Sequence, residues 1–377
     1  MEIAFYAPLK APDHPVPSGD RRMAGLLMAA LRAAGHDVML ASRLRSYEGQ
    51  GDAVSQAEIR AAGEAEAQTL VERFQETWQR PQAWFTYHLY HKAPDWLGPA
   101  VSAALDIPYV VTEASFASKQ AQGPWADGHD AVAAALGRAG AVLAVTEDDR
   151  AGLRPLVSHG ERLIALVPFL DPAPYEAAGD TARQRLASER QLDPAVPWLL
   201  TVAMMRPGDK LVSYQRLGAA LATLQGRPWQ LLVVGDGPAR DAVETALSGL
   251  GDNRVAYAGE QPEDALPAYY GAADVMVWPA VNEAYGMALL EAQAAGLPVV
   301  AGRVRGVGDV VRDGETGLLT NDGDGAGFAE AVRRLLDDSD LRRDLGTAAR
   351  ASVAAHHSLD QAAATLDHAL AVAGIAS

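Results

Sequence analysis

Two glutamates, Glu283 and Glu291, stand eight positions apart in residues 275–302, a stretch with no other charged side chain. The pattern predicts a buried strand that Pro279 ends, a turn, and a helix over about 286–295. Glu283 then lies on the turn and Glu291 about one and a half turns inside an apolar helix. An ionised carboxylate in that helix needs hydrogen-bond donors. Two neighbouring hydroxyls, as on a ribose or a hexose, would supply them.

Phosphate chemistry is indicated beside these carboxylates. The backbone amides at the amino end of the predicted helix, those of Gly286, Met287 and Ala288, suit an anion and are helped by the helix dipole. Arg206 and Lys210 follow another predicted strand in "TVAMMRPGDK". Two cations at the carboxyl end of a strand suit a diphosphate whose leaving oxygen gains negative charge.

Each of these side chains also has a purely structural interpretation. Glu283 is equally consistent with a solvated loop acid, and Glu291 with a solvent-facing stripe shared with Gln293. Arg206 is consistent with a solvated loop cation. Spacing alone leaves these alternatives open.

The rest of the chain shows how such residues would be positioned. Short apolar runs alternate with longer Ala/Leu-rich segments of helical period, one of them at 53–79. The runs predict strands at 3–7, 37–42, 83–88, 108–114, 139–146, 161–168, 198–205, 229–237, 254–259, 274–280 and 297–302. Alternation without hairpin signals predicts an α/β protein with parallel sheets covered on both faces.

The pattern restarts in the second half of the chain, which predicts two facing doubly wound (Rossmann-like) domains. Ligands of such domains bind beyond the carboxyl ends of the strands, here in the cleft between the domains. The predicted parts are an N-terminal domain, a C-terminal domain joined through the Pro-rich segment 169–180, and a last helix that packs back on the N-terminal domain. Their ranges are 1–168, 169–356 and 357–377.

Composition excludes several classes of protein. The formal charge of −16 argues against a nucleic-acid binder, which needs a basic face. With no cysteine, disulfides and thiolate metal sites are excluded. The first residues lack the basic flank of a signal peptide, and no apolar run reaches the roughly 20 residues that a bilayer needs. We expect a cytoplasmic protein with at most weak peripheral contact with the inner face of the membrane.

One segment resembles a known family. The stretch "NEAYGMALLEAQAAGLPVVAG", preceded by "GEQPEDALPAYYGAADVMVWPA" and followed by "GVGDVVRDGETGLL", is similar to the E-x7-E signature of the retaining GT-B glycosyltransferases of family 4, the glycosyl transferases group 1. The similarity covers most of the C-terminal half, and the N-terminal half resembles the family only in outline. It implies the GT-B fold and retaining transfer of a hexose from a UDP- or GDP-sugar to a hydroxyl acceptor, without a metal or cofactor.

The resemblance also assigns roles. It implies that Glu283 contacts the donor sugar and Glu291 the ribose, and that an arginine and a lysine carry the leaving diphosphate. Lys210 matches that lysine. The family places its arginine five residues earlier, where this chain has Met204–Met205, so Arg206, four residues before Lys210, is the predicted second cation.

The resemblance implies further contacts with the donor and the acceptor, at positions of this chain that match those of the family. Gly235 lies in a "GDGP" turn that the family places near the nucleotide, although a purely structural turn is almost as consistent. Gly19 begins the first helix, where the family's loop approaches the donor phosphates, and Tyr257 is predicted to flank the base. On the acceptor side, His88 ends a strand, and Glu113 stands near the point where the family has a histidine.

These features predict a metal-independent hexosyltransferase of glycolipid, polysaccharide or other glycoconjugate synthesis, with a lipid, saccharide or small-molecule acceptor. A nucleotide-sugar epimerase or hydrolase on the same fold is one alternative. A non-catalytic partner subunit is another. The set Glu283, Glu291 and Lys210 disfavours the second, because a silent scaffold has no reason to bury a carboxylate.

Overall fold

The computed structural model describes residues 1–16, 18–76, 80–157, 159–176, 180–251 and 253–374. The chain forms two compact units, an N-terminal unit of Met1–Val167 with Leu359–Ser377 and a C-terminal unit of Pro168–Ser358. The sequence places these divisions after residues 168 and 356. Among the described residues, no helix combines the length and the apolar character needed to cross a lipid bilayer.

In the N-terminal unit, strands and helices alternate in chain order. They are β1 (Glu2–Tyr6), α1 (Gly19–Ala33), β2 (Asp37–Leu40), α2 (Ala53–Glu76), β3 (Ala83–Leu89), α3 (Gly98–Leu105), β4 (Tyr109–Ala114), α4 (Ala126–Arg138), β5 (Ala141–Ala144), α5 (Glu147–Leu153) and β6 (Leu163–Ala165). All neighbouring strands are parallel, in the order β2-β1-β3-β4-β5-β6. The chain leaves β1 toward one side and returns on the other, so the switch point lies between β1 and β3.

The C-terminal unit repeats this plan. It contains α6 (Ala173–Glu176), α7 (Asp180–Arg190), β7 (Trp198–Val202), α8 (Asp209–Ala222), β8 (Gln230–Val234), α9 (Arg240–Leu247), β9 (Val255–Gly259), α10 (Leu266–Ala272), β10 (Val275–Trp278), α11 (Met287–Ala294), β11 (Val299–Arg303), α12 (Val307–Val310), β12 (Gly317–Asn321), α13 (Gly325–Asp337) and α14 (Ser339–His356). The parallel order is β12-β11-β10-β7-β8-β9, with its switch point between β7 and β10. The predicted α/β class with two doubly wound sheets is confirmed.

The last helix, α15 (Leu359–Val372), belongs to the N-terminal unit and packs on α1 and β5. Local signals explain several boundaries. Ser18 caps α1 by accepting a hydrogen bond from the Arg21 amide, and Gly35, at a φ of +87°, stops it. Thr146 caps α5 in the same way, since its hydroxyl accepts from the Asp149 amide.

Two details differ from the sequence prediction, and one predicted helix end lies outside the described residues. β12 was not predicted, because "GLLTN" offers only two strongly apolar residues between a glycine and polar positions. The helix expected at 53–79 reaches Glu76, and residues 77–79 lie outside the described part. The expected connection at 169–180 contains the short helix α6, because Tyr175 packs against Tyr270 at 5.9 Å between ring centroids; residues 177–179 are not among those described.

Candidate functional site

An ion pair marks the switch point of the C-terminal sheet. Lys210 lies in the first turn of α8, after β7, and Glu283 lies in the loop between β10 and α11. The Lys210 ammonium donates to Oε2 of Glu283, and the two side chains are 33% and 17% exposed. Because β7 and β10 are neighbours, the two loops meet at one edge of the sheet. Glu283 is therefore not a freely solvated loop acid.

A tryptophan completes this pair. The indole N–H of Trp278, the last residue of β10, donates to the same Glu283 oxygen at 3.2 Å. The Lys210 ammonium lies 5.5 Å from the centroid of the Trp278 ring, within range of a cation–π interaction. Tyr214 packs edge-on against that ring at 5.1 Å. Trp278 was missed as a site residue because, in sequence, it is simply the apolar end of a strand.

The loop that carries Glu283 is held in an uncommon conformation. Ala280 and Asn282 have φ angles of 59° and 51°, a region that costs a non-glycine residue about 1–3 kcal/mol. Helix α8 holds the loop in place. The Val281 amide donates to Ser213 Oγ at 3.0 Å, and Asn282 Nδ2 donates to Asp209 Oδ2 at 2.9 Å. Strain that is maintained by specific contacts points to a positioned carboxylate.

Glu291 is buried in α11, with 2% of its surface exposed. The Tyr270 hydroxyl donates to its Oε2 at 2.6 Å, so the carboxylate has a protein donor that the sequence did not reveal. Gln293 is also buried, and its amide donates to the Val310 carbonyl at 3.0 Å. A solvent-facing stripe through Glu291 and Gln293 is thereby excluded.

The amino end of α11 follows directly after the Glu283 loop. Gly286 takes a φ of +75°, and a Cβ there would stand 2.9 Å from Leu289 Cδ1, which explains the glycine. The first amides of a helix have no acceptor within it, and those of Met287 and Ala288 fall in this class. The contact of Gly286, Met287 and Ala288 with a phosphate stays a prediction.

The predicted second cation does not join the ion pair. Arg206 is exposed, and within the described residues its guanidinium makes no hydrogen bond or ion pair. Met205 stands where the family has its arginine; it is fully buried, and its amide donates to the Asp236 carbonyl at 2.9 Å. Arg206 remains the predicted second cation at the carboxyl end of β7.

Gly235 has a clear packing role. A Cβ at this position would stand 2.0 Å from the Ala203 carbonyl oxygen, and the Gly235 amide already donates to the Gly259 carbonyl at 2.8 Å. That amide is therefore not available to a phosphate. Tyr257 is half-buried on β9, and burial raises the pKa of its hydroxyl to about 12. Its contact with a base stays a prediction.

A second polar cluster lies at the switch point of the N-terminal sheet. His88 Nδ1 lies 3.1 Å from Oδ1 of Asp20, in the first turn of α1 beside Gly19, and 4.0 Å from Oε1 of Glu113. His88 and Glu113 lie on the neighbouring strands β3 and β4, and their φ angles are 64° and 57°. The sequence named both residues, but Asp20 was missed.

Charge and burial together tune this cluster. Burial alone would lower the pKa of His88, but the contact with Asp20 and the charge of Glu113 outweigh burial and raise it. Contact with His88 lowers the pKa of Asp20. For Glu113 burial dominates and raises the pKa of the carboxyl. The cluster therefore favours a protonated histidine.

Asp20→Asn should lower the pKa of His88. The raised pKa means that His88 contributes stability fully below the unfolded value of about 6.5, and that this stability is lost as pH rises through the folded value. We expect the variant to lose this stability below pH 6.5 and to resemble the wild type once His88 is neutral. Titration of the His88 ring by NMR, with unfolding measured at several pH values, checks both effects. An unchanged His88 pKa would contradict the pairing; Asp37→Asn, at an exposed acid in the same unit, is the control.

Comparison with known proteins adds independent information. Residues 197–338 match the family model described as Glycosyl transferases group 1. Alpha-D-kanosaminyltransferase from Streptomyces kanamyceticus is 30% identical over 239 residues, which cover 63% of this chain and 60% of that protein. D-inositol 3-phosphate glycosyltransferase from Corynebacterium efficiens is 33% identical over 218 residues, covering 54% and 50%. The chain thus spans between 50% and 60% of the length of these curated relatives.

The fold is shared over the whole chain. The structure of Anabaena Alr3699/HepE in complex with UDP superposes with a TM-score of 0.75, covering 98% of this chain and 100% of that one. At 18% identity, this likeness establishes the fold, the two-domain GT-B architecture. The region that matches the family model contains Lys210, Trp278, Glu283 and Glu291.

Proposed function

We propose that this chain, whose residues 197–338 belong to the glycosyl transferases group 1, is a retaining glycosyltransferase that moves a hexose from a nucleoside diphosphate sugar to a hydroxyl acceptor. The observation that carries the proposal is the Lys210–Glu283 ion pair at the switch point of the C-terminal sheet. Doubly wound domains bind nucleotides at this point. In this proposal Lys210 is the cation for the phosphate, and Glu283 accepts hydrogen bonds from the sugar hydroxyl groups.

Lys210 and the first amides of α11 supply positive charge for the diphosphate. Their combined effect is greatest when the glycosidic bond breaks and the leaving oxygen gains charge. Arg206 adds a second cation in this proposal, and no metal ion is required. Chelation with EDTA should therefore leave the rate unchanged.

The two glutamates hold the donor on either side of the diphosphate. Glu283 accepts hydrogen bonds from hydroxyl groups of the hexose, and Glu291 accepts from the ribose. The bond between the anomeric carbon and the β-phosphate oxygen breaks, and its electron pair leaves with the nucleoside diphosphate. The acceptor oxygen bonds to the anomeric carbon on the same face, and its proton passes to a phosphate oxygen. The anomeric configuration is then retained.

The N-terminal unit holds the acceptor in this proposal, with His88 and Glu113 on the acceptor side. One relative carries D-inositol 3-phosphate in its name, so myo-inositol and its 3-phosphate are the first acceptors to test. The Anabaena protein was solved in complex with UDP, so UDP-glucose is the first donor to test. Lipid and saccharide acceptors follow in the same assay.

A thermal-shift panel of UDP, GDP, ADP and their sugars tests the proposal. A ligand at 100 times its dissociation constant adds about 2.7 kcal/mol of stability, enough to move the melting curve clearly. We expect one of the nucleoside diphosphates to do so. If none shifts the melting temperature at millimolar concentration, the chain is not a nucleotide-sugar transferase.

Product analysis separates the transferase from the other activities of the same fold. Transfer gives a glycosylated acceptor with the donor's anomeric configuration. Free sugar without transfer to any acceptor indicates a hydrolase, and an altered donor indicates an epimerase. Binding of a nucleotide without turnover indicates a partner subunit.

A further inference from the structure

A pocket of about 390 Å³ is lined entirely by residues of the N-terminal unit. The first half of α2 forms one wall, and the segments that follow β2, β3 and β4 form the others. These segments leave the carboxyl edge of the sheet, the edge at which doubly wound domains bind their ligands. None of the pocket residues was singled out in the sequence.

Two half-buried tryptophans form aromatic walls of the pocket. Trp96 and Trp125 both line it, and each has a cation near its ring. The Arg60 guanidinium lies 5.2 Å from the Trp96 centroid, and the Lys92 ammonium lies 4.1 Å from the Trp125 centroid. Aromatic rings beside a few placed polar groups are typical of small-molecule sites.

Trp125 is held by a buried carboxylate. Glu48 is 8% exposed, and its two oxygens accept from the Gln50 and Gly51 amides at 2.6 Å each. The Trp125 indole N–H also donates to Glu48 Oε2 at 3.1 Å. The hydrogen bonds lower the pKa of the Glu48 carboxyl against the effect of burial. The aromatic wall is thus fixed in orientation before any ligand arrives.

The charges in the pocket are largely compensated. Arg60 pairs with Glu64 at 2.8 Å, and the lining also contains the Glu48 carboxylate against the Lys92 ammonium. Asp127 adds a further carboxylate to the lining. A pocket built for a phosphate would show an excess of unpaired cations. This one instead offers hydrogen-bond donors and acceptors together, as a neutral compound with many hydroxyl groups requires.

We infer that this pocket binds a polyhydroxylated ring, a hexose or cyclitol, and that it is an acceptor subsite of the proposed transferase, additional to His88 and Glu113, which do not line it. The apolar C–H face of such a ring packs on Trp96 or Trp125, and its hydroxyl groups exchange hydrogen bonds with Arg60, Glu64 and Asp127. The assignment of the ring as acceptor rests on the proposed function. The binding itself does not.

Binding of two probes, myo-inositol and methyl α-D-glucoside, is measured on the whole chain by saturation-transfer NMR and calorimetry. We expect at least one probe to bind saturably without any nucleotide. Arg60→Ala should weaken that binding about tenfold or more, the loss expected for a hydrogen bond to a charged group. Trp125→Phe, which keeps an aromatic ring but removes the indole N–H, should also weaken it.

Arg73→Ala is the matched control. Arg73 is an exposed arginine on the same helix, 4.7 Å from the Phe74 ring, and lies outside the pocket. It should leave binding unchanged. Loss of affinity in Arg73→Ala equal to that in Arg60→Ala, or no binding of either probe to the wild type, would overturn the inference.

Two measurements, the thermal shift with UDP and the hydrolysis of UDP-glucose in water, separate the two proposals. The Arg60→Ala variant should show the same thermal shift and the same hydrolysis as the wild type, but it should lose transfer to the bound ring. If the ring binds but no nucleotide does, the pocket stands and the transferase fails. If UDP binds and transfer proceeds at the wild-type rate in Arg60→Ala, the transferase stands and the pocket is not its acceptor site.

Discussion

Lys210→Ala should lower the turnover number by about 10²- to 10³-fold, the loss seen when one preorganised charge at a developing anion is removed. Lys210 is the cation that contacts Glu283, beside the amino end of α11. Without it, the leaving diphosphate of the proposed reaction loses the charge of Lys210, and Glu283 keeps only the Trp278 indole among its described side-chain partners. Steady-state rates with saturating donor and acceptor measure the effect.

Arg216→Ala is the control for Lys210. It removes a cation from the same helix that pairs with Asp322, away from Glu283. Its turnover should stay within about threefold of the wild type, because exposed ion pairs contribute little. Similar rates for the two variants would remove Lys210 from the mechanism.

Glu291→Gln should weaken nucleotide binding rather than turnover. The substitution keeps the size of the side chain and leaves an acceptor for the Tyr270 hydroxyl, but it removes the charge. A hydrogen bond to a charged group is worth about 1.5–3 kcal/mol, so the dissociation constant for UDP should rise about ten- to a hundredfold. Calorimetry measures that constant, and turnover at saturating donor should change much less.

A matched control variant tests whether the loss of any carboxylate charge in this unit would weaken UDP binding. Glu315→Gln neutralises an exposed carboxylate of the same unit and should leave UDP affinity unchanged. If Glu291→Gln binds UDP as tightly as this control does, Glu291 serves only to hold Tyr270, and the ribose contact is wrong. A change in turnover without a change in affinity would lead to the same conclusion.

The sequence was informative wherever local pattern decides structure. Short apolar runs and helical segments of period 3.6 located all strands of both sheets except β12, and the helix that carries Glu291 was placed within one residue. The family signature then singled out Glu283 and Lys210.

What the sequence could not provide is the set of contacts between distant segments. Glu283 and Lys210 are 73 positions apart, and they meet only because β7 lies next to β10 in the sheet order. Tyr270 reaches Glu291 from 21 positions away for a similar reason. No periodicity encodes such pairings, and the orientation of the Trp278 indole depends on packing against Tyr214.

Under the proposed function, the ion pair between Lys210 and Glu283 links the binding of the diphosphate thermodynamically to the binding of the sugar. Within the pair each charge neutralises the other, so neither carries an uncompensated desolvation cost. A diphosphate that takes the ammonium releases the carboxylate, and sugar hydroxyls that take the carboxylate release the ammonium. Each exchange makes the other easier, and by reciprocity the coupling is the same in both directions. An intact nucleotide sugar can supply the diphosphate for Lys210 and the hydroxyl groups for Glu283 at once. A nucleotide alone supplies only the diphosphate, so Glu283 loses Lys210 and gains no sugar hydroxyl group.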